Sequence, residues 1–279
     1  MLISSQNLFL IILALVWITG AVLQDLKRRE VDNIWNFSLI AFALGYRLAV
    51  SVFLNDYWFI LNGLIGLLIF LILGNLFYYL RFFAGGDAKL LIALGTILPF
   101  SYDWIVNFKL FGFFILFFLL TGAIYVLFWS FYLVTINFNR FKLEFKKQAK
   151  NYKIMIYLGL GFFFLGIILG FFLDFVFISL GFVILLFPLL FVFAKSVEES
   201  CLIKELTSKQ VTEGDWLYCD IMVHGKKIKA NWEGVSRKDL ELIRKYSKKK
   251  ILIKQGIPFT PSFLFSFIIL LFASSYGYI

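Results

Sequence analysis

The chain has 279 residues, 61% of them apolar, 20% aromatic and only 16% charged, where a soluble domain averages about 45–50% apolar and about 25% charged. A mean hydropathy of +0.89 excludes an ordinary soluble globule, so the net charge of +10 reads first as a topology signal and not as a nucleic-acid footprint. At about 20 residues per crossing, the length holds roughly seven or eight spans and one small extramembrane domain.

Charge-free runs mark the crossings in chain order. Residues 1–24 carry no charge, 33–55 are interrupted only by Arg47, and 57–80 are clean. Between Lys89 and Asp103 lies a shorter run, LLIALGTILPFSY; as a helix it would rise only about 20 Å. Then come 110–139, 154–173 and 175–194, the last two separated by Asp174 alone as a hairpin tip, and finally 255–279. MLISSQN lacks a basic n-region, and the first positive cluster follows the apolar run, the order expected of an uncleaved first helix with its N-terminus outward.

The basic residues choose between seven and eight crossings. With eight, 25 of the 27 fall on one side: Lys27 to Arg29, Arg81 and Lys89, the loop 140–153, and the stretch 195–256. Arg47 and Lys109 are left over, with Arg47 read as pairing with an aspartate or snorkelling. If the short run does not cross, the later clusters land outside, against the positive-inside rule. The expectation is therefore an all-α polytopic membrane bundle of about eight transmembrane helices with a small cytoplasmic α+β insert domain. Its divisions are 1–194 for the bundle, 195–256 for the insert and 257–279 for the final helix.

Within the insert, DWLYCDIMV and IKANW read as strands joined by a turn at HGKK. SRKDLELIRKYSKKK reads as a helix with Ser236 as N-cap and Asp239 at its third position, and ILIK as a closing strand. The run Lys248–Lys250 reads as a solvated face or an anchor to anionic lipid, and no nucleic acid is expected. Cys201 and Cys219 form no CxxC pair, and no His or Cys cluster reaches metal-ligand spacing; no cofactor is expected. His224, the single histidine, reads as part of a polar turn.

Acidic residues beside a bilayer are costly, so each needs a reason. Asp56, Asp103 and Asp174 read as helix ends in water. Asp25 in QDLKRREVDN and Asp87 in FFAGGDAKLL are separated by two crossings and so lie on one face. Two carboxyls sharing a partly desolvated site cannot both ionise easily, so one keeps the proton. The ionised partner then takes a proton from water while the other polarises a carbonyl, as in aspartic proteases. Gly85 and Gly86 offer backbone freedom and close approach for a substrate, or equally a plain turn after the third span.

Three separated pieces, DLKRREVDNIW, AGGDAKLL and GIPFTPSFL, resemble the type IV prepilin peptidases, in particular their archaeal preflagellin peptidase branch among the GxGD membrane aspartic proteases. The resemblance implies Asp25 and Asp87 as the catalytic pair, Gly85 and Gly86 shaping the loop, and Lys89, Pro258 and Pro261 in support. It also implies cleavage of the basic leader of prepilin-like or preflagellin-like proteins at the cytoplasmic membrane face. The lack of CxxC pairs implies proteolysis without N-methylation. Ala84 stands where the motif has its first glycine and would be strained if that position needs a positive φ. Alternatives are a general intramembrane protease, a proton-coupled transporter using the same carboxyls, and a structural assembly protein indifferent to their neutralisation.

Overall fold

In lipid a backbone must satisfy its own amides, and an apolar run of membrane length does so as a helix. In the computed structural model, which describes residues 5–247 and 249–276, every long apolar run is helical. Among the described residues, six helices are long and apolar enough to cross a membrane: α1 (Ser5–Arg28), α2 (Asn33–Leu54), α3 (Tyr57–Tyr79), α5 (Trp104–Ile136), α7 (Lys153–Phe172) and α8 (Val176–Cys201). The short run gives α4 (Gly85–Leu94) followed by turns, and the last gives α10 (Pro261–Ser275). The read of Asp56, Asp103 and Asp174 as helix ends holds. Each accepts a backbone N–H two residues on, from Trp58 (3.1 Å), Ile105 (2.8 Å) and Val176 (2.8 Å).

Residues 1–127 and 258–279 make one compact unit, in which α1, α2, α3, α4, the first part of α5 and α10 pack together. Its α1–α2 seam is built on Trp35, which stacks on Trp17 at 5.4 Å and donates its indole N–H to the Trp17 carbonyl (2.8 Å). Only glycine fits at position 20, because a Cβ there would lie 2.2 Å from the Trp35 ring. The α3–α4 seam is closer still: a Cβ on Gly66 would meet the Gly95 carbonyl oxygen at 2.2 Å, and one on Gly74 the Ile92 side chain at 2.6 Å. Small residues let helices approach where lipid supplies no hydrophobic drive.

Arg47 neither pairs with an aspartate nor snorkels. It is fully buried and donates Nε to the Thr96 carbonyl (2.8 Å), Nη1 to Phe59 (2.9 Å), and Nη2 to Ile97 (3.1 Å) and Pro99 (2.8 Å). Nearby, Asn7 donates to the Phe100 carbonyl (2.8 Å) and Asn107 to that of Ser101 (2.8 Å). A chain that stops being helical at Leu94 leaves carbonyls without partners, and a guanidinium with five N–H donors is the side chain that can collect several at once.

Residues 128–257 form the second unit. Here α7 and α8 make a tight hairpin across glycines, with a Cβ on Gly166 set to meet the Phe177 carbonyl oxygen at 2.6 Å. The stretch read as a basic loop, 140–153, is instead a helix, α6 (Phe138–Asn151). Phe141, Glu144 and Gln148, spaced by three and four, are partly or fully buried, as is Ala149, while Lys142, Lys146, Lys147 and Lys150 stay exposed, so high charge hid an amphipathic period. The α8 helix continues through Lys195 to Cys201, and β1 (Ile203–Leu206) follows it.

That strand pairs antiparallel with β5 (Ile251–Lys254), which also pairs with β2 (Trp216–Leu217). A hairpin joins β3 (Ile221–Val223) to β4 (Lys226–Ile228). The turn is only His224–Gly225, both with positive φ (47° and 77°), the two-residue form whose twist matches the flanking strands. The second strand therefore lies earlier than IKANW suggests. Ser236 caps α9 (Arg237–Tyr246), accepting the Asp239 N–H at 3.2 Å. Lys248 lies outside the described residues.

Candidate active site

The buried stripe of α1 runs through Leu10, Ala14, Ile18, Ala21 and Val22 and continues into Asp25. Helical periodicity alone thus turns this carboxyl inward, and it is only 6% exposed. Its Oδ2 accepts two hydrogen bonds from one residue of the last helix's entry, the Thr260 backbone N–H (3.1 Å) and hydroxyl (2.9 Å). Thr260 is fully buried and precedes Pro261, the first residue of α10, where a proline loses no intrahelical bond.

Asp87 is the third residue of α4 and half-buried. The Ala84 backbone N–H, at the N-cap position, donates to its carboxylate, the reach-back of a capping box. Asp87 lies outside the six long apolar helices. Its carboxyl is held above the ordinary carboxylate range, first by burial and second by the charge of Asp25. The two aspartates are therefore brought within electrostatic reach of each other across α1 and α4, and Tyr125 of α5 also feels the Asp25 charge.

The surrounding chain differs in detail from expectation. Ala84 has φ −70° and ψ 160°, extended backbone open to any residue, so alanine is unstrained there. Gly85 and Gly86 are the first two residues of α4 with no positive φ. A Cβ at Gly86 would meet Val31 at an ordinary 3.5 Å, and one at Gly85 only Tyr78 at 3.9 Å. A methyl at either position would thus make only ordinary contact, so the fold itself does not demand glycine there. Lys89 donates to Asn33 Oδ1 (2.6 Å) and is not among the groups that move the Asp87 carboxyl. Of the two supporting prolines, Pro261 starts α10, and Pro258 lies in the segment before it.

Two residues that sequence reasoning passed over complete the site. One is Thr260, inside GIPFTPSFL but hidden between more conspicuous prolines. The other is Asn36, fully buried, whose side-chain amide donates to the Gly86 carbonyl (3.3 Å) and ties α2 to the start of α4. Behind them Phe118 packs on Phe263 (4.3 Å between ring centres), Phe83 (5.4 Å) and Phe259 (5.4 Å), seating the entry of α10 against α5. A separate cavity of about 340 Å³ is lined by Phe37, Ile40, Leu64, Leu68 and Leu71, with Lys89 its one charged wall. It lacks the convergent polar groups that orient a small ligand.

Residues 10–136 match the type IV leader peptidase family. The chain is similar to a preflagellin peptidase of Methanococcus maripaludis, 39% identical over 80 residues that cover 28% of this chain and 34% of that one. It is also similar to a preflagellin peptidase of Methanocaldococcus jannaschii, 32% identical over 79 residues covering 28% and 33%. Each match thus spans about a third of the relative's own length. No solved structure matches the chain. The family match holds Asp25, Arg47 and Asp87 and ends before Thr260.

Proposed function

We propose that this chain, which matches the type IV leader peptidase family over residues 10–136, is a member of that family and a membrane aspartic endopeptidase acting through Asp25 and Asp87. The observation that carries the reading is the approach of two carboxyls from different helices, close enough for the charge of one to hinder ionisation of the other. One proton shared by two such groups is the working state of an aspartic dyad.

Hydrolysis then proceeds in two steps. The ionised carboxylate takes a proton from a water whose oxygen bonds to the scissile carbonyl carbon, while the protonated carboxyl gives its proton to the carbonyl oxygen. As the tetrahedral intermediate collapses, the C–N bond breaks, the first carboxyl returns its proton to the leaving nitrogen, and the second, now a carboxylate, takes a proton back from a hydroxyl of the intermediate as the carbonyl re-forms. Because Oδ2 of Asp25 already accepts two hydrogen bonds, Oδ1 is the oxygen it offers to water. Because the fold itself does not demand glycine at positions 85 and 86, their lack of side chains suits the close approach of a substrate backbone.

The substrate class is the basic leader of preflagellin-like or prepilin-like proteins, presented with its own hydrophobic helix at the cytoplasmic membrane face. Proteolysis proceeds without methylation of the new N-terminus. The chain crosses eight times with its N-terminus outside; the guanidinium of Arg47, by covering the carbonyls beyond Leu94, supports a short crossing there. Asp32 already pairs with Arg28 (2.6 Å), which leaves Glu30 to answer the charge of a basic leader. The test is cleavage of a preflagellin-like substrate by the detergent-solubilised protein beside Asp25→Asn and Asp87→Asn. Each variant is expected to lose at least about a thousandfold in rate while remaining folded; cutting that survives either change overturns the aspartic mechanism.

A further inference from the structure

Resting on that reading, we infer that Thr260 is a positioning residue for the dyad, the group that fixes which oxygen of Asp25 faces the substrate. Asp25 sits at the end of α1, where the helix stops at Arg28 and the chain turns at Arg29 with φ 60°. A carboxyl there is free to rotate about its terminal torsion, which is broad and roughly two-fold. Thr260 removes that freedom. Its backbone N–H and hydroxyl converge on one oxygen, Oδ2, at 3.1 and 2.9 Å.

Two donors on one oxygen lock the carboxyl plane and leave Oδ1 as the oxygen available to the reacting water. Thr260 is itself held from several sides. It is fully buried, Pro261 fixes the backbone immediately after it, and the neighbouring Phe259 and Phe263 pack on Phe118 at 5.4 and 4.3 Å. The Thr121 hydroxyl also donates to the Ser262 carbonyl (3.3 Å). A group immobilised by its own surroundings can hold a reacting group to the tolerance that catalysis demands. Thr260 touches neither water nor peptide in this scheme, and its contribution runs through Asp25.

The experiment is steady-state cleavage of a preflagellin-like substrate by the full chain in detergent, comparing Thr260→Val, Thr260→Ser and the unmodified protein. Valine keeps the branched shape and the backbone N–H but removes the hydroxyl donor. It is expected to lower kcat roughly ten- to a hundredfold with KM unchanged, because a misaligned base slows chemistry without loosening substrate. Serine keeps the donor and is expected to stay within about threefold of the unmodified rate. If Thr260→Val does not fold, Thr260→Ala removes the same donor and carries the same expectation. Unchanged kcat in the valine variant, or an equal loss in valine and serine, overturns the inference. Asp25→Asn and Asp87→Asn in parallel separate the two questions: if they still cut, the dyad reading itself has failed, whereas dead asparagine variants beside a fully active Thr260→Val reject Thr260 alone.

Discussion

The first unit buries charge in two places, and they are treated in opposite ways. At Arg47 all four hydrogen bonds go to backbone carbonyls, of Phe59, Thr96, Ile97 and Pro99, and the guanidinium also lies over the Phe59 ring at 4.7 Å. At Asp25 and Asp87 two groups of like charge face each other, and only one oxygen of Asp25 is tied down by Thr260. A saturated buried charge holds structure together. A buried pair that hinders its own ionisation has the perturbed electrostatics that mark a candidate functional site. Burial alone does not separate the two cases; the partners do.

The contrast can be broken most forcefully at Arg47. Arg47→Met keeps the length but takes the donor from the carbonyls of Thr96, Ile97 and Pro99 beyond the end of α4, and should cost at least about 3 kcal/mol, seen as a large drop in thermal midpoint or as failure to accumulate. The asparagine variants of the dyad should show no such drop. Next in size is Gly66→Ala. The added methyl meets the Gly95 carbonyl oxygen, and overpacking of this kind should lower stability by about 2 kcal/mol, with cleavage reduced because α4 carries Asp87.

A gentler test uses pH. The Asp87 carboxyl is raised by burial first and by Asp25 second. A carboxyl raised in the folded state contributes stability that is fully present below its unfolded value and is lost as pH rises through the folded one. The unmodified protein should therefore lose thermal stability between about pH 4 and about pH 7, and Asp87→Asn should flatten that slope. A steeper slope in the variant would contradict the assignment. The smallest effect belongs to the second unit. Ser236→Ala removes the cap of α9 and should cost about 1 kcal/mol, read as faster amide exchange over residues 237–246 with cleavage unaffected.

Much of this architecture is visible in the amino-acid order because the signals are local. Charge-free runs mark the long helices, the inward stripe of α1 ends on Asp25, and Ser236 announces α9 by the spacing to Asp239. What is not visible depends on groups far apart in sequence. Nothing near Arg47 reveals that its partners lie around residues 96–99, since carbonyls carry no signature in the side-chain code. Thr260 is similarly silent; a hydroxyl between two prolines at the mouth of an apolar helix was the available clue. The helix α6 was masked by its lysines, although Phe141 and Gln148 keep helical spacing with Glu144 between them.

The bond between Thr260 and Asp25 joins residues 235 positions apart. A ribosome makes both aspartates well before Thr260, the anchor of Asp25. Until α10 lies beside α1, Asp25 lacks the two donors that hold its Oδ2. A chain interrupted before Pro258 would therefore carry both carboxyls without the two Thr260 donors to Asp25.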